Sequence, residues 1–329
     1  MRSLPVLLLA TLAALLSFTT VHAATEYLVV TTDALAPAFQ DLASQKSTRG
    51  HVTELITIED LSAMAVPGRD VAEQIRTYIQ TVYAGGSLRF VLLGGDTGQV
   101  PTRYAFNEFY PAGGTAIPTD LYFAALDGNW DANGNDVFCE VYVDAADLGP
   151  EVAVGRVPAR TSLEAAQFVT KLSEYEDPGN HEHLDSALFL GEVLFPAYWQ
   201  PGEVISLDGA DYGEELRVIV QGGDSPMADQ RLYENHLAFP DATQLSRVQA
   251  IATMNSGDHG LVLHLGHGYQ TSLSMGDEIL NPEDALALTN GPHHFVLMSS
   301  VSEGAAFDVD PILEDFIRNP VGGAVAVIG

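Results

Sequence analysis

The block Leu261-Val-Leu-His-Leu-Gly-His-Gly268 puts the side chain best suited to proton transfer where a fold can use it. An apolar run of strand type leads straight into Gly266-His267-Gly268. In open α/β sheets ligands sit beyond the carboxyl ends of the strands. Flanking glycines let the chain turn sharply and let a substrate approach closely. His267 is thus placed as a general base or acid; the competing reading is a loop histidine held by hydrogen bonds. His264, three residues earlier, falls on the opposite face of the strand. That disfavours a metal pair with His267 and marks His264 for buried packing. His293-His294 follows the turn sequence Asn290-Gly291-Pro292 and reads as the entry to a strand. That strand, Phe295 to Ser299, runs into Ser300-Val301-Ser302. Parallel neighbours bring their carboxyl ends together, so a serine from 299 to 302 could meet His267 as nucleophile and base.

A second constellation lies between residues 127 and 140. Asp127, Asp131, Asn133, Asn135 and Glu140 supply recurring oxygen ligands, and Asp131 to Asn135 has the D-x-N-x-N spacing that opens a calcium loop. Tyr142 stands where the twelfth-position glutamate of an EF-hand belongs, which excludes that motif. A looser structural calcium loop ordering residues 127–140 is the expectation, against a plain Asn/Gly/Asp turn cluster. Cys139, the single cysteine, sits inside this acidic segment beside Glu140. Nearby carboxylates suppress thiolate, so Cys139 reads as a packed residue and not as a nucleophile.

The elements that must position these groups read as two α/β series. Strands are expected at Tyr27–Thr31, His51–Thr57, Arg89–Leu93 and Glu151–Val154, with helices over Ala36–Arg49, Asp70–Tyr83 and Ser162–Tyr175. This βαβαβ order implies a parallel sheet covered by helices. The segment Pro101 to Gly149, rich in Gly, Asn, Asp, Pro and aromatics, interrupts the rhythm as a long functional or metal-stabilised insertion. Asp177 to His183 reads as a linker. Strands at Ala187–Leu190, Leu261–Leu265, Phe295–Ser299 and Ala324–Ile328 follow, with a helix over Gln244–Met254. Asp310 is expected to cap a short helix that starts at Pro311 and ends at Pro320. The division is therefore a leader over 1–23, an amino-terminal α/β unit over 24–180 and a catalytic-type α/β unit over 181–329. A chain that stops inside an apolar strand reads as truncated there.

The leader rests on Arg2, the uncharged apolar run Leu4 to Leu16, and the small-x-small sequence Val21-His22-Ala23. Export with removal of residues 1–23 is expected, and hence a secreted protein. No later apolar stretch reaches the roughly 18 residues of a membrane span. The formal charge of −30, with Lys46 and Lys171 the only lysines, opposes binding to nucleic acid and anionic membranes. With one cysteine no intramolecular disulfide can form, so stability must come from the core.

Gly266-His267-Gly268, the small-residue turn ending Ala306-Phe307-Asp308, and Asn319-Pro320 through Gly329 together resemble the catalytic domain of the gingipain-type cysteine peptidases. Pro150 to Pro158, with Lys171 and Tyr175-Glu176, resembles that family's first subdomain. The resemblance spans most of the chain and implies a caspase-like α/β fold in two subdomains, peptide or protein substrates, bound calcium, and His267 as base. Counting back from Phe307 puts the family cysteine at Ser302. Counting from Gly304 puts it at Val301. Ser302 is the preferred match, because it needs no gap and can act as a nucleophile. The resemblance further assigns an oxyanion hole to the backbone N–H groups of Gly268 and residue 302, and leaves Glu151 as the carboxylate to orient His267. An alkoxide is far harder to generate than a thiolate. The expectation is therefore a weak serine-type or inactive peptidase, with a non-catalytic, calcium-stabilised peptide-binding module as the alternative.

Overall fold

The computed structural model describes residues 25–107, 116–223 and 225–329. The expected leader, 1–23, lies outside the described residues, as does part of the 101–149 insertion. Four short runs, β1 (Tyr27–Thr31), β2 (Thr53–Thr57), β3 (Phe90–Gly94) and β4 (Ala153–Val157), pair in parallel in the order β2-β1-β3-β4. Alternate residues of β1 feed different cores. Leu28 and Val30 pack with Ile75 and Ile79, whereas Val29 packs with Phe39 and Leu42. A sheet buried on both faces must read as a continuous apolar run, as YLVVT does.

The covering helices are α1 (Ala36–Thr48), α2 (Val71–Tyr83) and α3 (Ser162–Tyr175). Ile75, Tyr78, Ile79 and Val82 of α2 recur at three- and four-residue spacing and are buried, and the Asp70 side chain accepts the Glu73 N–H to cap the first turn. In α3, Thr161 and Glu164 form a reciprocal capping box. The strand expected at Glu151–Val154 lies at Ala153–Val157, because Glu151 turns its carboxylate back to the Leu126 N–H.

Arginines hold the insertion against the first sheet. Arg76, buried in α2, donates to the carbonyl oxygens of Tyr122, Ala125 and Asp127. Arg103 forks onto Asp70, and Arg156 onto Asp120. In a chain this acidic, these guanidinium groups supply positive charge where the insertion meets the sheet.

The second sheet uses β5 (Ser186–Gly191), then β6 (Val193–Phe195) and β7 (Leu207–Asp208) as an antiparallel pair beside it. It continues with β8 (Ala228–Tyr233), β9 (Thr243–Gln244) and β10 (Leu261–Leu265). A ribbon of β11 (Gly268–Tyr269), β12 (Ser272–Met275) and β13 (Glu278–Leu280) follows, then β14 (Phe295–Ser299) and β15 (Ala324–Ile328). The six main strands run parallel in the order β9-β8-β5-β10-β14-β15. Their helices are α4 (Gly209–Gln221), α5 (Arg247–Asn255) and α6 (Ile312–Arg318). The helix expected from Gln244 starts instead at Arg247, because the Ser246 hydroxyl caps the Gln249 N–H. Pro311 occupies the cap of α6, and Asp310, expected there, turns its carboxylate to Arg160 and Arg318.

That last contact belongs to the junction of the two sheets. Asp96 follows β3, Glu314 lies in α6, and with Asp310 their carboxylates converge; Arg160 and Arg318 sit among them. Three carboxylates against these two guanidiniums leave an excess negative charge. Glu314, the most buried, takes it up: burial first, with Asp96 adding, pushes its pKa to about 8 against the opposing arginines. The folded chain therefore binds a proton there that the unfolded chain releases above its ordinary 4.5. This group's support is complete below that pH and is lost as pH rises through about 8. Glu314→Gln, which fixes the neutral form, is expected to flatten that part of the pH–stability curve in thermal melts and to leave acid stability unchanged.

Candidate active site

Parallel pairing in the second sheet places Leu265 beside Gly191 and His264 beside Ser299. The residues just beyond those strand ends, Glu192, His267 and 300–302, therefore gather at one edge. Glu192 is 6% exposed, and its Oε2 accepts the His267 backbone N–H at 2.6 Å. The same oxygen lies 3.3 Å from Nδ1 of the imidazole. The ring edge meets Phe195 at 5.8 Å between centroids. With Nδ1 turned to a carboxylate, Nε2 is left as the basic nitrogen of an accessible ring.

The carboxylate beside His267 is thus Glu192. Glu151, named from the sequence, is committed to the Leu126 N–H at the first sheet. Glu192 had a readable signal: it stands immediately after a glycine at a strand end, as His267 does. Gly266 makes the arrangement possible, since a Cβ there would lie 2.9 Å from Glu192 Oε2 and 2.8 Å from His264 Nε2.

Across the edge, Val301 is 8% exposed and Ser302 is exposed. The Val301 γ-methyl groups lie where Cβ atoms on Gly268 and Gly304 would sit, 2.2 and 2.1 Å from those positions. Of the two matches for the nucleophile, Val301 is the side chain that packs directly against Gly268. Gly268 itself opens β11 and pairs with β12. His264 is buried, as expected, and burial lowers its pKa. His294 is buried at the entry to β14, with its Nε2 on Glu174 of α3.

The acid groups nearby are many. Glu234 accepts the Val193 N–H, and burial together with Glu192, Asp277 and Asp208 pushes its pKa to about 7. Asp208 caps α4 and is raised by burial. An open cleft of about 260 Å³ lies along Ile205 to Asp208 with Asp211, Tyr212 and Glu215.

In the 127–140 segment the candidate oxygens are engaged by protein donors. Asp131, whose side chain is 1% exposed, is paired with Arg69 at 2.6 Å and accepts the Asn135 and Asp136 N–H groups. Asn133 and Asn135 turn their amide N–H groups to Glu140, and their oxygens accept backbone N–H groups at 135 and 137. Asp127 contributes its carbonyl to Arg76. These donors engage the side-chain oxygens of Asp131, Asn133 and Asn135, and Arg69 stands beside the buried Asp131 carboxylate. Cys139 has its thiol pKa raised by burial, and Asp144 adds to it, which agrees with an inert residue. Among the described residues, the one group of three acids spaced for a metal is Asp96, Asp310 and Glu314, which are paired with Arg160 and Arg318.

Similarity to known proteins agrees with this geometry. The profile described as peptidase family C25 matches residues 21–329. The Arg-specific cysteine proteinase gingipain R superposes with a TM-score of 0.67 at 18% identity, over 92% of this chain and 62% of that one. The complex of the pro- and mature domains of the gingipain RgpB of Porphyromonas gingivalis gives 0.66 at 19% identity, over 92% and 63%. An uncharacterized protein of Archaeoglobus fulgidus is 24% identical over 275 residues, 79% of this chain and 59% of its own length. The chain spans about three fifths of the length of these relatives. Its two helix-covered parallel sheets have the gingipain, caspase-like arrangement, and the chain belongs to peptidase family C25.

Proposed function

We propose that this chain is an exported gingipain-like peptidase domain that binds a peptide beside His267 and lacks the thiol to cleave it efficiently. The observation that carries this is a base paired with Glu192 beside Gly268, against which the aliphatic Val301 packs. In this reading a peptide lies across the carboxyl ends of β10 and β14. Its carbonyl oxygen approaches the backbone of Gly268 and residue 302, and Nε2 of His267 stands ready to accept a proton. Ser300 and Ser302 carry the hydroxyls on either side of Val301 in sequence, and Ser302 is the one that matches the family cysteine by the count from Phe307. An unactivated serine is a poor attacking group, because proton removal must accompany attack. The acids at 208, 211 and 215 along the cleft favour peptides with basic side chains. The leader at 1–23 supports export.

The test is fluorescence binding of labelled peptides to the mature chain, with turnover followed in the same tubes. Saturable binding that favours basic over acidic peptides, with turnover near background, is expected. Rapid turnover stopped by serine-directed reagents would assign attack to Ser302, and absence of any binding would remove the peptide cleft itself.

A further inference from the structure

Four buried polar side chains run without a break from β14 to His267. Ser299 Oγ lies 2.9 Å from Nδ1 of His264, and Nε2 of the same ring lies 2.9 Å from the carbonyl oxygen of Ser274. Ser274 Oγ lies 2.7 Å from Glu192 Oε1, and Glu192 Oε2 receives His267. The direction of each bond follows from chemistry. A carbonyl oxygen only accepts, so His264 carries its proton on Nε2. The ring is 1% exposed and burial favours its neutral form, so Nδ1 accepts from the Ser299 hydroxyl. The Ser274 hydroxyl has one proton and two acceptors, Glu192 Oε1 at 2.7 Å and the Gly276 carbonyl at 3.2 Å. The shorter bond to a charged oxygen wins.

We infer that Ser274 is the positioning residue of the His267 base, fixing the Glu192 carboxylate by donating to Oε1 while Oε2 faces the imidazole. The inference rests on the reading of His267 as the base. Glu192 emerges from β5 with its two oxygens in different surroundings. Oε2 is held by the His267 main chain, and Oε1 accepts from the Ser274 hydroxyl. Ser274 also donates its backbone N–H to the His267 carbonyl at 2.9 Å, so β12 grips both the base and its carboxylate. His264 completes the device by holding the Ser274 carbonyl, which sets the strand at a fixed distance from β10. A sequence reading that stops at Gly-His-Gly misses this, because Ser274 lies in a polar ribbon with no motif of its own.

The experiment is nitrogen-15 NMR of the imidazole rings, which reports the nitrogen that carries the proton. In the mature chain neutral His267 is expected as the Nδ1–H tautomer and His264 as Nε2–H. Ser274→Ala shifts His267 towards the commoner Nε2–H tautomer and leaves the His264 signal in place as a report of intact folding. Ser274→Cys, which keeps the volume and donates weakly, gives the same shift should the alanine variant fold poorly; Ser274→Thr restores the parent signal. In a Val301→Cys background, Ser274→Ala lowers kcat about ten- to a hundred-fold with little change in KM. An unchanged His267 tautomer in folded Ser274→Ala and Ser274→Cys overturns the inference. The NMR result needs no turnover, so an inactive Val301→Cys chain counts against the peptidase reading and leaves this test standing.

Discussion

Val301→Cys is expected to raise peptide cleavage at least about a hundred-fold over the parent chain, measured with fluorogenic peptides under reducing conditions. The γ-methyl groups at 301 already lie between Gly268 and Gly304, so sulfur takes up space a methyl now fills. The cost in stability is about 1 kcal/mol, comparable to the loss of one buried methyl group. A thiol titrates near 8.5, roughly two units above imidazole, so a histidine can draw off its proton. The Glu192 carboxylate that faces Nδ1 also stabilises the imidazolium left behind. Adding His267→Ala to this variant should return the rate to background, as should alkylation of the new thiol. Ser302→Cys in parallel should stay near background, because residue 302 is exposed and residue 301 forms the wall against Gly268. Cleavage by the 302 variant alone would move the attacking position there. Silence from both leaves a peptide-binding cleft without catalytic geometry.

Lys171→Met should lose about 3 kcal/mol or more of stability and melt roughly 5–10 °C lower. Lys171 is 2% exposed in α3, and its Nζ donates to the carbonyl oxygens of Phe316 at 3.1 Å, Ile317 at 2.7 Å and Ala324 at 3.1 Å. The first two are end-of-helix carbonyls of α6, which have no partner within their own helix. Methionine keeps the length and apolar stem and leaves all three oxygens buried without a donor. Burial pushes the ammonium pKa down to about 7, with Glu174 opposing. Between about 7 and the ordinary 10.5 the unfolded chain binds more protons at this position than the folded one does. The group's contribution therefore grows as pH rises through that window. The deficit of the methionine variant should widen in the same direction, which thermal melts below and above about pH 7 would read. Melting curves that superpose on the parent at every pH would show that the junction does not depend on this lysine.

The alternation of apolar runs with helical periods was enough to place most of both sheets, because strands buried on two faces have little room for polar residues. β8 escaped it for the converse reason. Its sequence ADQRLY carries Asp229 and Arg231, and these are satisfied by Arg217 and Glu214 of α4. α4 carries Gly209 and Gly213, which weaken its helical pattern in the sequence. A Cβ on Gly209 would lie 2.3 Å from the Leu265 carbonyl, and one on Gly213 would lie 2.8 Å from the Tyr233 hydroxyl. Both glycines serve close packing that only the assembled sheet reveals. At the site, His267 was legible because a strand end flanked by glycine is a local signal. Glu192 carries the same local signal after Gly191, but its pairing with His267 was not legible, since it spans 75 residues of chain through parallel pairing. The oxygen pattern at 127–140 was legible as oxygens but not as to what they bind. Arg69, which pairs with Asp131, lies 62 residues before it.

The three acceptors of Lys171 lie 145 to 153 residues further along the chain. On the ribosome the first sheet can close once β4 has emerged, since all its strands precede residue 158. α3 then dips an ammonium towards a face that has no cover yet, and water must serve until α6 and β15 have been synthesised. Domains tend to fold from the amino terminus as they emerge, and contacts so distant in sequence are slow to form. The amino-terminal half therefore passes through a period as a half-sealed body with one wet seam. That seam is where a chaperone would bind during synthesis and where a protease would find a product cut short before α6.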